Sequence, residues 1–128
     1  MAPLTLEVSY DKKTLARDDE AAVTVKIHNQ TDFIAEMPLI DVGVPPGFIV
    51  IPDKLDDAVK DKTISKYTIA ARQVIIYLDK LDAGHTTTVS YKIRARFPIR
   101  ARTPLSQAYP YYEPKRVATS AAQDIVVK

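Results

Sequence analysis

The sequence predicts an all-β fold, an antiparallel two-sheet sandwich carrying one short surface helix near residues 53–61. Three observations carry that prediction. Apolar and polar residues alternate with a period of two in several separate segments, as they do in strands with one face buried. These segments recur at short spacing and are joined by turns containing Pro and Asp, the rhythm of a sandwich. One stretch, 52–61, switches to the helical period instead.

In chain order, Leu4, Leu6, Val8 and Tyr10 alternate with Thr5, Glu7 and Ser9. Val23, Val25 and Ile27 form the inward set of a second strand, opened by the polar turn Asp18-Asp19-Glu20 and closed by Asn29-Gln30-Thr31-Asp32. Residues 33–44 read as extended, with Pro38 forcing an edge or a bulge because it has no amide to donate. Pro45-Pro46-Gly47 is a turn. Val74 to Leu78 is a short continuous apolar run rich in β-branched residues, which predicts a strand covered on both faces. Val89, Tyr91, Ile93, Ala95 and Phe97 are set against Ser90, Lys92, Arg94 and Arg96, so one face is apolar and the other polar and charged. A final pair of strands is expected near 108–112 and 117–127.

The helix has its own logic. Asp53 is placed to cap the amide of Asp56, and Asp56 and Asp57 suit the positive end of the helix dipole. Leu55, Ala58 and Val59 fall on one face, and Asp56 and Lys60 are spaced to pair at i,i+4. Two turns are too short to persist alone, so the helix must lean on a sheet.

The 128 residues suit one domain, and 46% apolar residues supply a core. A net charge of +2, from 18 basic and 16 acidic residues, is too mild to imply nucleic acid or an anionic membrane as partner. No apolar run is long enough to span a bilayer. The opening Met1-Ala2-Pro3-Leu4 lacks the regions of a signal peptide, so the chain is expected to be either cytoplasmic or a piece of a longer exported protein. Cysteine is absent, which removes disulfides, thiol catalysis and thiolate metal sites.

Candidate sites are few. With three glycines there is no nucleophile elbow and no phosphate-binding loop, and the two histidines are far apart. His85 reads as a residue of the turn Asp82-Ala83-Gly84-His85, and His28 as a solvated or locally bonded strand end. No catalysis, cofactor or metal is expected. Asp53, Asp56, Asp57 and Asp61 lack the spacing of a calcium loop and are better read as capping and solvated residues. Lys92, Arg94 and Arg96 form a stripe on one strand face. A nucleic-acid surface would interleave aromatics there, whereas Tyr91 and Phe97 are expected to point into the core. The tyrosines of Tyr109-Pro110-Tyr111-Tyr112 divide between core and interface. Asn29-Gln30-Thr31 matches a glycosylation sequon, a three-residue pattern that arises easily by chance.

Several segments resemble the C-terminal receptor-binding domain of the alpha-macroglobulin family. Val74-Ile75-Ile76-Tyr77-Leu78-Asp79-Lys80-Leu81 is similar to that domain's characteristic strand and turn. Val42-Gly43-Val44-Pro45-Pro46-Gly47-Phe48 resembles the turn that leads to its single helix, and Ile64-Ser65-Lys66-Tyr67 the strand that follows the helix. Phe97-Pro98-Ile99 and Ala108-Tyr109-Pro110-Tyr111-Tyr112 stand where the family has a Phe-Pro-Val step and a Tyr-Tyr strand. The resemblance spans about residues 38–115.

It implies a non-catalytic domain of a large extracellular or periplasmic protein that traps proteases, with any reactive thioester in another domain. In animals the helix is read by an endocytic receptor through a lysine pair. Those two positions are Pro52 and Asp56 here, and the missing disulfide points towards a bacterial-type homologue. The expected partners are therefore the other domains of the parent protein, the thioester domain first, and a protein receptor second. The expected contact residues are Lys54, Asp57, Lys60 and Asp61 on the helix, with Arg94 and Arg96 on the stripe. Two other readings stay open: a generic immunoglobulin-like cell-surface or adhesion module, and a free-standing nucleic-acid binder using the arginines.

Overall fold

The structure, a computed structural model, describes residues 4–70, 72–110, 117–120 and 123–128. The alternating segments form strands whose apolar sides face one another. The first layer is built from β1 (Leu4–Tyr10), β3 (Glu20–Asn29), β10 (Thr86–Ala95) and β6 (Phe48–Ile51), hydrogen-bonded in that order. Register aligns the inward residues, with Val89 opposite Val25, Tyr91 opposite Val23 and Ile93 opposite Ala21. The second layer runs β13 (Ala118–Ser120), β12 (Ser106–Pro110), β5 (Pro38–Gly43), β8 (Gln73–Tyr77) and β7 (Lys66–Ala70), every neighbouring pair antiparallel. Ile40, Val42, Val74 and Ile76 from this layer join Val23, Val25, Tyr91 and Ile93 in one continuous core. Each such side chain stabilises the fold by about 1.5–3 kcal/mol on burial.

Two smaller sheets complete the sandwich. β4 (Ala35–Glu36) pairs with β9 (Lys80–Leu81). β11 (Ile99–Arg102) pairs antiparallel with β14 (Asp124–Val127), whose other side pairs with β2 (Thr14–Leu15). That last pairing is parallel, an exception to the antiparallel rule expected from the sequence.

Several local expectations are corrected. The 33–44 stretch breaks at Met37, which takes φ +47°, and its amide donates to the Asp79 carbonyl. β5 then starts at Pro38 and occupies the middle of its sheet, since a first residue needs no ladder amide. Val74 to Leu78 is not buried on both faces: Val74, Ile76 and Leu78 are buried, while Ile75 and Tyr77 on the other face are only half-buried. β10 ends at Ala95, where paired hydrogen bonds with Asp18 and Asp19 and one from Arg96 to Gly47 take over the backbone. Phe97 therefore does not continue into the core and is 51% exposed. The expected last pair divides into β12, β13 and β14, and Tyr111 and Tyr112 lie outside the described residues.

The helix α1 (Asp53–Lys60) forms where the sequence predicts it, with Leu55 and Ala58 buried against the core and Val59 left at the margin. Its start differs from expectation. Pro52 is the cap residue, its carbonyl accepts the Asp56 amide, and no side chain caps the end, so Asp53 does not bond Asp56. Proline suits this place because the missing amide would have had no helical partner. Glycine is required at 43, where a Cβ would stand 2.5 Å from the Cβ of Pro104, and at 47, which holds φ +82° in the turn before β6. Among the described residues no helix is long and apolar enough to cross a membrane.

Candidate recognition surface

The expected contact residues fall on two distinct elements. Lys54, Asp57 and Lys60 project from the outer face of α1, and Asp61 follows its last turn; all four are exposed. Arg94 lies on the outer face of β10, and Arg96 just beyond the strand, both exposed. No hydrogen bond or ion pair among the described residues joins the helix group to the arginines.

The helix group has partners that sequence spacing did not reveal. Asp56 does not pair with Lys60. It accepts a hydrogen bond from the Tyr67 hydroxyl on β7, which ties α1 to the edge of the five-stranded sheet. That hydrogen bond holds the Tyr67 phenol above its usual pKa, because ionising it would remove the donated proton, and the nearby negative charge of Asp56 adds to the shift. Beside it, the Lys66 ammonium stands 4.6 Å from the centre of the Tyr77 ring, in cation–π range. Asp56, Val59, Lys60, Lys66 and Tyr67 line a shallow open groove between helix and edge strand. Asp61 is engaged locally: its carboxylate accepts from the Thr63 amide at 3.0 Å and from the Thr63 hydroxyl at 2.6 Å. Both bonds favour the charged form and lower its pKa.

The arginine stripe carries its own counter-charge. Glu20 sits opposite Arg94 in the β3–β10 register, 3.0 Å from its guanidinium and 3.8 Å from the Lys92 ammonium. One carboxylate thus serves two cations on the open sheet face. Such exposed pairs contribute at most about 1 kcal/mol, and the single carboxylate offsets part of the positive field that a phosphate backbone would need.

Chemistry-bearing groups are otherwise sparse. Among the described residues no three His, Cys, Asp or Glu side chains come together to hold a metal ion. His28 bonds the Thr86 hydroxyl across the sheet at 2.8 Å, and His85 closes its turn through a backbone hydrogen bond to Asp82. Asp41 is half-buried on β5; burial raises its pKa while two hydrogen bonds from the Gln73 amide oppose that.

Sequence reasoning passed over Asn29. Read as a turn residue and a chance sequon, it is 1% exposed and is the knot of the loop after β3. Its side-chain amide donates to the carbonyls of Phe33 at 2.7 Å and Leu81 at 3.0 Å. Its oxygen accepts from the Thr31 amide at 3.0 Å and the Thr31 hydroxyl at 2.7 Å. The signal was present, since Asn followed two residues later by Thr is the pattern of an Asx turn as much as of a sequon. Asn29→Ala should cost about 2 kcal/mol, because the buried Leu81 carbonyl loses its donor. Urea unfolding of the variant measures this, and an unchanged midpoint would mean the loop is held by something else.

Comparison with known proteins then gives the surface its setting. The A-macroglobulin receptor binding domain family matches residues 34–123. No curated protein matches the chain. Among solved structures, native Escherichia coli alpha-2-macroglobulin, in a fragment running from domain MG7 to the C-terminus, aligns with TM-score 0.84 and 16% identity. That alignment covers 98% of this chain and 23% of that one. A mutant Salmonella alpha-2-macroglobulin aligns with TM-score 0.84 and 16% identity, over 100% of this chain and 9% of that one. Escherichia coli alpha-2-macroglobulin activated by porcine elastase gives TM-score 0.82 and 16% identity, over 100% and 13% of the respective chains. The chain therefore spans less than a quarter of the length of these structures. The family match covers most of the chain, and the likeness in fold extends from end to end: the chain belongs to the A-macroglobulin receptor binding domain family.

Proposed function

We propose that this chain is the C-terminal packing and recognition domain of a larger alpha-macroglobulin-like protease inhibitor held outside the cytoplasm. It acts without catalysis, by contact with other domains of the parent, the thioester domain first among them. The family match over residues 34–123, in a chain that spans less than a quarter of its matched structures, carries this reading. The contact surface is α1 and the groove beside it, with Lys54, Asp57, Lys60 and Asp61, joined by Arg94 and Arg96 on the sheet. Interdomain packing is favoured over a receptor reading because Pro52 caps the helix and Asp56 is engaged by Tyr67, so neither of the two family lysine positions presents a cation.

Immunoblotting the source organism with an antibody raised to this domain tests the central claim. A band many times larger than 14.3 kDa is expected, and a band at 14.3 kDa overturns the reading. In the parent protein, Lys54→Ala with Lys60→Ala, and separately Arg94→Ala with Arg96→Ala, should change stability by less than about 0.5 kcal/mol, as for surface positions. Both pairs should weaken protease trapping. Full trapping by both variants would remove these residues from the contact surface.

A further inference from the structure

The loop after β3 carries the most exposed large apolar side chain among the described residues. Phe33 is 78% exposed, and its neighbour Ile34 is 52% exposed. The loop is nevertheless firmly held. The Phe33 carbonyl accepts from the buried Asn29 amide at 2.7 Å, and the Phe33 amide donates to the Thr31 hydroxyl oxygen at 3.2 Å. Asn29 is in turn fixed through its backbone to the turn before β10, with hydrogen bonds to Gly84 at 2.9 Å and His85 at 3.0 Å. A ring held out in water on an ordered backbone gains nothing for this domain's own stability. It loses little conformational freedom when something covers it, which is the property of an anchor in an interface.

The position of the tip selects its occupant. Leu4 pairs with Asn29 in the β1–β3 register, so β1 begins at the end of the first layer where Asn29 holds the Phe33 loop. β14 finishes towards the opposite end, where the Lys128 amide donates to the Leu15 carbonyl, past the Tyr10 end of β1. We infer that Phe33 and Ile34 are the anchor on which the domain preceding residue 1 of the parent protein is seated. This rests on the reading of the chain as one domain of a longer protein, and it adds where the neighbour docks and through which residues.

The test uses the full-length parent with Phe33 replaced by p-benzoylphenylalanine, irradiated, digested and mapped by mass spectrometry. Cross-links from position 33 into residues that precede this domain in the same chain are expected. Cross-links only to domains that do not directly precede this one, only to another protein, or none at all, overturn the inference while leaving the parent protein intact as a finding. A purified gene product of 14.3 kDa overturns the functional reading and this inference together. In the same parent, Phe33→Ser combined with Ile34→Ser should speed limited proteolysis at the junction about tenfold or more, since two apolar side chains lose their burial. An unchanged cleavage rate also overturns it.

Discussion

Replacing Leu55 by alanine should destabilise the domain by about 3 kcal/mol, near the middle of the range for truncating a buried leucine. The reason is particular to this helix. At eight residues, α1 is too short to persist in water, and its cap contributes no side-chain hydrogen bond. What holds it is the insertion of Leu55, fully buried, and Ala58 into the core beside β10, helped by the Tyr67 hydroxyl on Asp56. The variant should therefore lose more than a core methyl cluster: the amides of Ala58 and Val59 should exchange with solvent far faster than those of β3. Val59→Ala, at a partly exposed position of the same turn, should cost less than about 1 kcal/mol. A Leu55→Ala loss as small as that of Val59→Ala would mean that the helix is not docked through this residue. Because the proposed contact surface is built on α1, the same substitution should also weaken trapping by the parent, through disorder of the helix and not through loss of a contact.

The second large effect belongs to alkaline pH. Tyr91 is buried in the centre of the first layer, and removal of its phenol from water pushes its pKa far above the ordinary value, with Tyr10 nearby adding to the shift. Burial raises Tyr10 as well, against a hydrogen bond with Thr103 that works the other way. A group with a higher pKa folded than unfolded keeps its proton longer in the native state. Its contribution to stability is therefore intact below the unfolded value of 10.0 and is lost as pH climbs from there towards the folded value. Each such tyrosine removes up to about 1.4 kcal/mol per pH unit in that window, so the two together make unfolding steep, at up to about 3 kcal/mol per unit. Urea midpoints measured between pH 9 and 11.5, alongside absorbance of the phenolate, should show ionisation of these rings coinciding with loss of structure. Smooth titration of every tyrosine before unfolding would contradict their burial. Tyr91→Phe should flatten the alkaline slope.

The parts of this fold that sequence reveals are those decided by one strand and its two faces. β10 declares itself because Val89, Tyr91, Ile93 and Ala95 alternate with Ser90, Lys92 and Arg94, and α1 because Leu55 and Ala58 recur at helical spacing. What it does not reveal is decided by residues distant in the chain. Phe97 continues the alternation on paper, but the strand has already been closed by Asp18, Asp19 and Gly47. The Asp56–Lys60 spacing is sound for an isolated helix, yet Tyr67 across the groove offers a better partner than a mobile lysine. The arginine stripe reads as a bare basic patch until Glu20, 74 residues from Arg94 in sequence, is brought opposite it. Asn29 was hidden for a different reason, since one three-residue pattern serves both a surface modification signal and a buried turn.

The parallel pairing of β14 with β2 has a consequence for biosynthesis. β14 is the central strand of its sheet, with β11 on one side and β2 on the other, so neither flank can be completed before Asp124–Val127 has been translated. Thr14 and Leu15 must wait for partners made more than a hundred residues later. A topology with such distant pairings is slow to close, because the chain must be looped before any contact repays the cost. Until Asp124–Val127 has been made, the β14-facing sides of Thr14–Leu15 and Ile99–Arg102 have no strand to pair with, so this corner of the domain is the last to close.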